Sequence, residues 1–305
     1  MLSNKKIEYP LNLINLAKLK GPIKAGIVCA GNSLSMDSAL EATKLSLLEP
    51  VFIGDRKKIE NEAHLLNWDI SNFEIFDFVS DIEAANFGAE LASKDLIKII
   101  IKGHIHTDIL MKSILKKDFN LISSRRLSHL WYMTINPNQK PLLITDGALN
   151  VAPRLDIKMH ILKNVIDFAI KTGIKKPKVA ILSGTEDPIE SLPSSMEAKE
   201  ITKRAKEENL SADVYGPLAF DNAVSLKAAK IKNINNIVAG NADIILVPNL
   251  ETGNSLVKMM IYFIGACAAG IIVGGKVPIV VTSRSDDKAS RVASIAAAII
   301  ATKKN

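Results

Sequence analysis

Aromatic residues are scarce in this 305-residue chain, at 5%, and there are two cysteines. Cys29 and Cys267 lie far apart in sequence and in apolar surroundings. They cannot form a disulfide framework, so a reducing, cytoplasmic compartment and buried, inert thiols are expected. No G-x-G-x-x-G or G-x-x-x-x-G-K-[ST] occurs, which removes support for dinucleotide-binding and P-loop readings. The five histidines supply one H-x-H pair, His104 and His106, with no matching cluster of acids and histidines elsewhere, so no metal is expected. No basic run interleaves with aromatics, and nucleic acid is not an expected partner. The net charge of +7 is read as ordinary solubility ahead of attraction for phosphates or nucleotides. The N-terminus has no continuous apolar run with a small-residue cleavage site, so no signal peptide is read there. Residues 259–275 resemble a membrane span in hydropathy, but they are short, contain glycines and run on into a strand. A buried helix followed by a buried strand is expected, with no membrane partner.

What the chain has in abundance is aliphatic residues. Hydrophobic residues reach 48%, dominated by Ile, Leu, Val and Ala. That composition suits parallel strands buried beneath helices. The length exceeds what one core usually holds, so two domains are expected. Strand-like runs at 23–31, 50–55, 73–79 and 96–103 alternate with helical stretches at 35–49, 81–95 and 107–117. Ser35 or Asp37 is expected to cap the first of these helices. This alternation predicts a doubly wound sheet, with ligands beyond the carboxyl ends of its strands. Residues 127–135 and 140–147 read as a hairpin around a proline-containing turn. A helix at about 155–172, a strand at 178–184, a charged helix at 195–209 and a strand at 242–249 form a second α/β unit. The last helix begins near Ser285 or Asp286, either of which is a suitable cap.

Polar groups gather where the apolar runs stop, at 102–108, 144–153, 215–225, 247–260 and 281–287. Residues 215–225 read as a loop leading into a helix. Five such ends around one cleft would form an anion site, in which Arg and Lys supply charge and helix N-termini supply N–H groups. Arg125 and Arg126 are either phosphate ligands or loop charges. Asp287 and Arg291, four apart on a helix, are expected to form a surface ion pair.

Taken in order, "GHIHTD", "SRRLSHLW", "LLITDGALNVAP", "GPLAFDNAVS", "VAGNADIILVPNLETGN" and "GGKVPIVVTSRSD" resemble the phosphate acetyl/butyryltransferase family. The likeness runs from about residue 20 to the end. It is nearest to the phosphate acetyltransferase-like domain that in some proteins follows an enoyl-CoA hydratase domain. The resemblance implies two α/β domains with an interdomain cleft, in an architecture similar to isocitrate and isopropylmalate dehydrogenases. It places residues 1–125 with 273–305 in the first domain, the last helix returning to it, and 126–272 in the second. It implies the reaction acyl-CoA + phosphate ⇌ acyl phosphate + CoA, with acetyl ahead of butyryl, in a homodimer without a metal or resident cofactor. Coenzyme A enters as substrate.

In that reading Arg284 contacts the acyl phosphate, and Ser283 orients the acyl carbonyl or the CoA sulfur. A carboxylate takes the thiol proton. Longer acetyltransferases carry an aspartate six residues after this arginine, where this chain has Ser290. Asp286 or Asp287 is a nearby substitute, with Asp286 preferred; Asp286 as a simple helix cap is the competing reading. Lys112 stands where the family has an arginine. Arg125, Asp146, Asn150, Asn254 and Lys258 complete the candidate substrate-binding set. The asparagines and Asp146 serve either substrate or their own loops. Two other readings remain: a dehydrogenase of similar fold, which lacks its carboxylate cluster here, and a CoA- or phosphate-binding homologue without turnover.

Overall fold

A computed structural model describes residues 1–122, 124–283 and 286–303. The chain divides into two compact units. One comprises Lys6–Arg126, Asn136–Asn138 and Cys267–Asn305; the other comprises Met1–Lys5, Leu127–Ile135 and Gln139–Ala266.

In the first unit the chain runs through α1 (Leu11–Lys18), β1 (Ile23–Val28), α2 (Ser33–Lys44), β2 (Leu48–Gly54) and α3 (Arg56–Leu65). It continues through β3 (Ile75–Asp77), α4 (Asp81–Ser93), β4 (Ile99–Lys102) and α5 (Thr107–Ile114). The second unit then follows with β5 (Ser128–Thr134), β6 (Leu142–Thr145), α6 (Leu155–Lys171), β7 (Lys178–Leu182) and α7 (Pro193–Glu207). Next come β8 (Asp213–Leu218), the short helices α8 (Phe220–Val224) and α9 (Leu226–Ile231), β9 (Ile244–Leu246) and α10 (Leu250–Met259). The chain finishes in the first unit with β10 (Cys267–Val273), β11 (Ile279–Val280) and α11 (Lys288–Ala301).

The strand order in the first unit is β3-β2-β1-β4-β11-β10. All these neighbours are parallel except β10, which runs against β11. The strands are near-continuous Ile, Val and Ala because helices cover both faces of a parallel sheet and leave no face for polar residues. In the second unit the order is β5-β6-β9-β7-β8. Here β5 is antiparallel to β6, as the expected hairpin requires, and the rest are parallel.

Sequence reading missed β8. The segment around Pro217 looked like a loop, yet it lies on the sheet edge, pairing with β7. An edge strand tolerates a residue without an N–H. Two helix caps also differ from expectation. Asn32 caps α2 by accepting from the Ser35 N–H, and Asp287 caps α11 by accepting from the Ser290 N–H. Ser285, one of the residues expected to cap α11, lies outside the described residues. The 259–275 segment turns from α10 through a single π-helical turn, Met260–Ile264, into the buried strand β10. No described helix is long and apolar enough to cross a membrane.

Position α11 deserves its place in the core by composition. Every residue from Val292 to Ile300 is buried, and its alanines let it lie close against β10. At the carboxyl ends of β1 and β4 the backbones almost touch. A Cβ on Gly103 would stand 2.3 Å from the Cys29 carbonyl oxygen, so only glycine fits.

Candidate active site

After β11 come Val281, Thr282 and Ser283, on the way to α11. The turn is closed by its own polar groups. The Ser283 N–H donates to Asp286 Oδ2 at 2.6 Å, and the Asp286 N–H donates back to the Ser283 carbonyl at 3.2 Å. Asp286 is therefore a loop brace, while Asp287 is the helix cap. Arg284, the residue expected to contact the acyl phosphate, lies outside the described residues.

Arg291 lies beneath this turn. It is 8% exposed, so the expected surface ion pair is replaced by a buried clasp. Its Nη2 donates to the Ser283 carbonyl at 2.7 Å, its Nε to the Asp286 carbonyl at 3.1 Å and its Nη1 to Thr282 Oγ1 at 3.3 Å. Burial pushes the guanidinium pKa down, opposed by the charges of Asp286 and Asp287. Sequence reading missed this role because an i, i+4 pair looks the same whether it faces water or the core.

Ser290, six residues after Arg284 in sequence, is buried. Its hydroxyl lies 3.0 Å from Asp287 Oδ2 and 3.7 Å from Cys267 Sγ, and it accepts from the Ala268 N–H at 3.2 Å. It joins the start of α11 to β10. Burial pushes the Cys267 thiol up to about 12. Cys29, beside Asp81 at 3.4 Å, is likewise pushed up to about 12, by burial first and by the Asp81 charge second. Both are buried thiols held toward the protonated, less nucleophilic form.

In the second unit, Asp146 follows β6 and is buried. Its Oδ1 accepts from the N–H groups of Ala148 at 3.0 Å and Leu149 at 2.9 Å. Its Oδ2 accepts from the His129 N–H at 2.9 Å and the Asn150 side-chain amide at 2.7 Å. Asn150 also donates to the Leu127 carbonyl at 3.0 Å. These contacts hold the 146–150 loop in one shape. Burial drives the His129 pKa well below the usual imidazole range, to about 4, against the opposing pull of Asp146. The loop packs against the start of α10, where the Asn254 amide donates to the Gly147 carbonyl at 3.4 Å. Asn249 caps that helix by accepting from the Thr252 N–H at 2.9 Å. Lys258, one turn after Asn254, is half-buried and has no ion-pair partner among the described residues.

The structure thus brings together Ser283, Asp286 and Arg291 in the first unit, and Asp146, Asn150 and Asn254 in the second. Lys112 lies apart from the β11 turn in its contacts, exposed on α5 and paired with Asp108 at 3.4 Å. That hydrogen bond holds the Asp108 carboxyl below its usual range. Arg125 is half-buried in the segment before β5. His104 and His106 are exposed, and no group of three or more metal-ligating side chains gathers among the described residues.

A sequence model described as "phosphate acetyl/butaryl transferase" matches residues 78–300. The chain is 40% identical to the phosphate acetyltransferase of Rickettsia felis over 276 residues, which span 90% of this chain and 79% of that protein. It is 32% identical to the phosphate butyryltransferase of Clostridium acetobutylicum, covering 94% of this chain and 96% of the other. The crystal structure of a branched-chain phosphotransacylase from Enterococcus faecalis superposes with a TM-score of 0.81 at 32% identity, covering 92% of this chain and all of that one. The dehydrogenase-like α/β fold expected from the sequence is the fold of that phosphotransacylase.

Proposed function

The chain belongs to the phosphate acetyl/butyryl transferase family, and we propose that it catalyses acyl-CoA + phosphate ⇌ acyl phosphate + CoA, with acetyl as its acyl group. The observation that carries this reading is the braced turn between β11 and α11, which presents Ser283 beside the positive end of a helix. Such an end offers N–H groups and partial positive charge where a phosphate must be held and released. The higher identity to an acetyltransferase supports acetyl over butyryl. Butyryl is the second reading, supported by the butyryltransferase likeness across nearly the whole chain.

In the direction that consumes acyl phosphate and forms acyl-CoA, the CoA sulfur attacks the acyl carbonyl carbon. A C–S bond forms, the bond from that carbon to the phosphate oxygen breaks, and inorganic phosphate leaves with the electron pair. Asp286 takes the thiol proton, Arg284 neutralises the phosphate, and Ser283 orients the carbonyl or the sulfur. Lys112, Arg125, Asp146, Asn150, Asn254 and Lys258 serve substrate binding; for Asp146 and Asn150 this acts through the loop they hold. The raised thiol pKa values of both cysteines support direct transfer over a covalent enzyme intermediate.

No resident cofactor is needed in this scheme. The exposed apolar side chains of Met259, Tyr262, Phe263 and Ile264 support pairing of two copies, and two unpaired cysteines suit the cytoplasm. The test is loss of CoA thiol with acetyl phosphate or butyryl phosphate as donor and no metal added. Turnover that disappears in Arg284→Ala is the expected result, and the faster donor decides the acyl group. Folded protein that binds CoA yet consumes none would sink the enzyme reading.

A further inference from the structure

Arg291 occupies a position that helix stability alone disfavours. It lies in the first turn of α11, where the partial positive charge of the helix N-terminus repels a cation. It is also buried, so its charge has lost most of its water. Among the described residues three acceptors offset these costs, and they belong to one turn: the Ser283 carbonyl at 2.7 Å, the Asp286 carbonyl at 3.1 Å and Thr282 Oγ1 at 3.3 Å. A planar guanidinium fork can hold two carbonyls at fixed separation, which an ammonium cannot.

In sequence, the carbonyls held flank Arg284, the residue that the proposed reaction sets against the phosphate. A carbonyl oxygen drawn onto Arg291 cannot also point at an anion. The same arrangement leaves the Ser283 N–H to Asp286 at 2.6 Å, so both faces of the Ser283 peptide environment are fixed. We propose that Arg291 is a positioning residue for acyl transfer: it holds the Thr282 hydroxyl and the backbone carbonyls of Ser283 and Asp286 in the form that receives the acyl phosphate. This inference rests on the acyltransferase reading above.

The test uses the full-length protein, with CoA and acetyl phosphate as substrates. In Arg291→Lys the charge and stem remain but the fork is lost. Its kcat is expected to fall about 10²-fold, the scale of a misplacement near 1 Å, while KM for CoA stays within about 3-fold. Amide hydrogen exchange of the peptide spanning 281–287 should accelerate in the same variant, with the β1 and β4 peptides unchanged. Guanidinium chloride at millimolar concentration should restore part of the turnover of Arg291→Ala and leave the wild type unaffected.

A folded Arg291→Lys protein with wild-type kcat overturns the proposal. So does a loss of activity that follows thermal stability alone, with no response to guanidinium. Thr282→Val is the second variant if Arg291 substitutions fail to fold. Losing one acceptor and no charge should lower kcat about 3-fold, and an unchanged kcat overturns the role. Wild-type protein that consumes no CoA defeats the acyltransferase reading itself, a result distinct from an active wild type with indifferent Arg291 variants.

Discussion

A Cβ placed on Gly147 would stand 2.7 Å from the backbone nitrogen of Asn254, so the loop after β6 and helix α10 meet backbone to backbone. Neither partner has a side-chain end that could swing aside. Gly147→Ala should therefore destabilise the protein by about 1–3 kcal/mol, as overpacking against a rigid neighbour does. A lower urea midpoint with an unchanged slope is the expected result.

Asp146→Ala removes the acceptor for three backbone N–H groups and the Asn150 amide at once. Unsatisfied buried donors make the expected loss about 3 kcal/mol or more. Asp146→Asn keeps one acceptor oxygen and should lose less. Thermal unfolding of the two variants side by side measures the difference.

Asp286 braces Ser283, and the proposed reaction asks it to accept a proton as well. Asp286→Asn keeps an oxygen for the Ser283 N–H but cannot act as a base. If Asp286 takes the thiol proton, both Asp286→Asn and Asp286→Ala lose about 10²–10⁴-fold in kcat. An active Asp286→Asn beside an inactive Asp286→Ala would instead assign it to the turn alone.

The buried imidazole of His129 makes stability depend on acid. Its pKa is about 4 folded, against about 6.5 for an unperturbed histidine, so the unfolded chain binds more protons between those values. Stability contributed by this residue is complete above about pH 6.5, falls as pH drops through the window, and levels off below about pH 4; the total is roughly 3 kcal/mol. Urea midpoints measured across that range should slope less steeply in His129→Gln.

Both thiols, pushed up to about 12, are protonated at pH 8. Native protein treated with iodoacetamide at that pH should show unmodified Cys29 and Cys267 by mass spectrometry. Cys29→Ala should retain turnover within about 3-fold, since no step passes through that sulfur. Rapid alkylation with parallel loss of activity would reopen the question of a covalent intermediate.

The alternation of apolar runs made most strands legible, because a parallel sheet buried on both faces leaves a plain aliphatic signature. It failed at β8, where Gly216-Pro217 carries the local chemistry of a turn and tertiary pairing with β7 overrides it. Candidate site residues were legible as motifs, but their hydrogen-bond partners were not. Asp146 and Asn150 could be placed near one another by spacing, yet their partners His129 and Leu127 lie on β5 and just before it. Arg291 was misread for the same reason. Charge spacing on a helix says which residues share a face, whereas burial decides whether that face grips a backbone or meets water.

The strand β11 lies between β4 and β10, although the strands β5 to β9 of the second unit separate β4 from β11 along the chain. On the ribosome, the second unit therefore has its full complement of strands before the first does. The earlier-made strands β1 to β4 must wait, with the β4 edge open, until β11 and α11 emerge. A stall or truncation ahead of residue 279 would leave that edge uncovered, so the cover of β1 to β4 rests with a segment made only after the strands of the second unit.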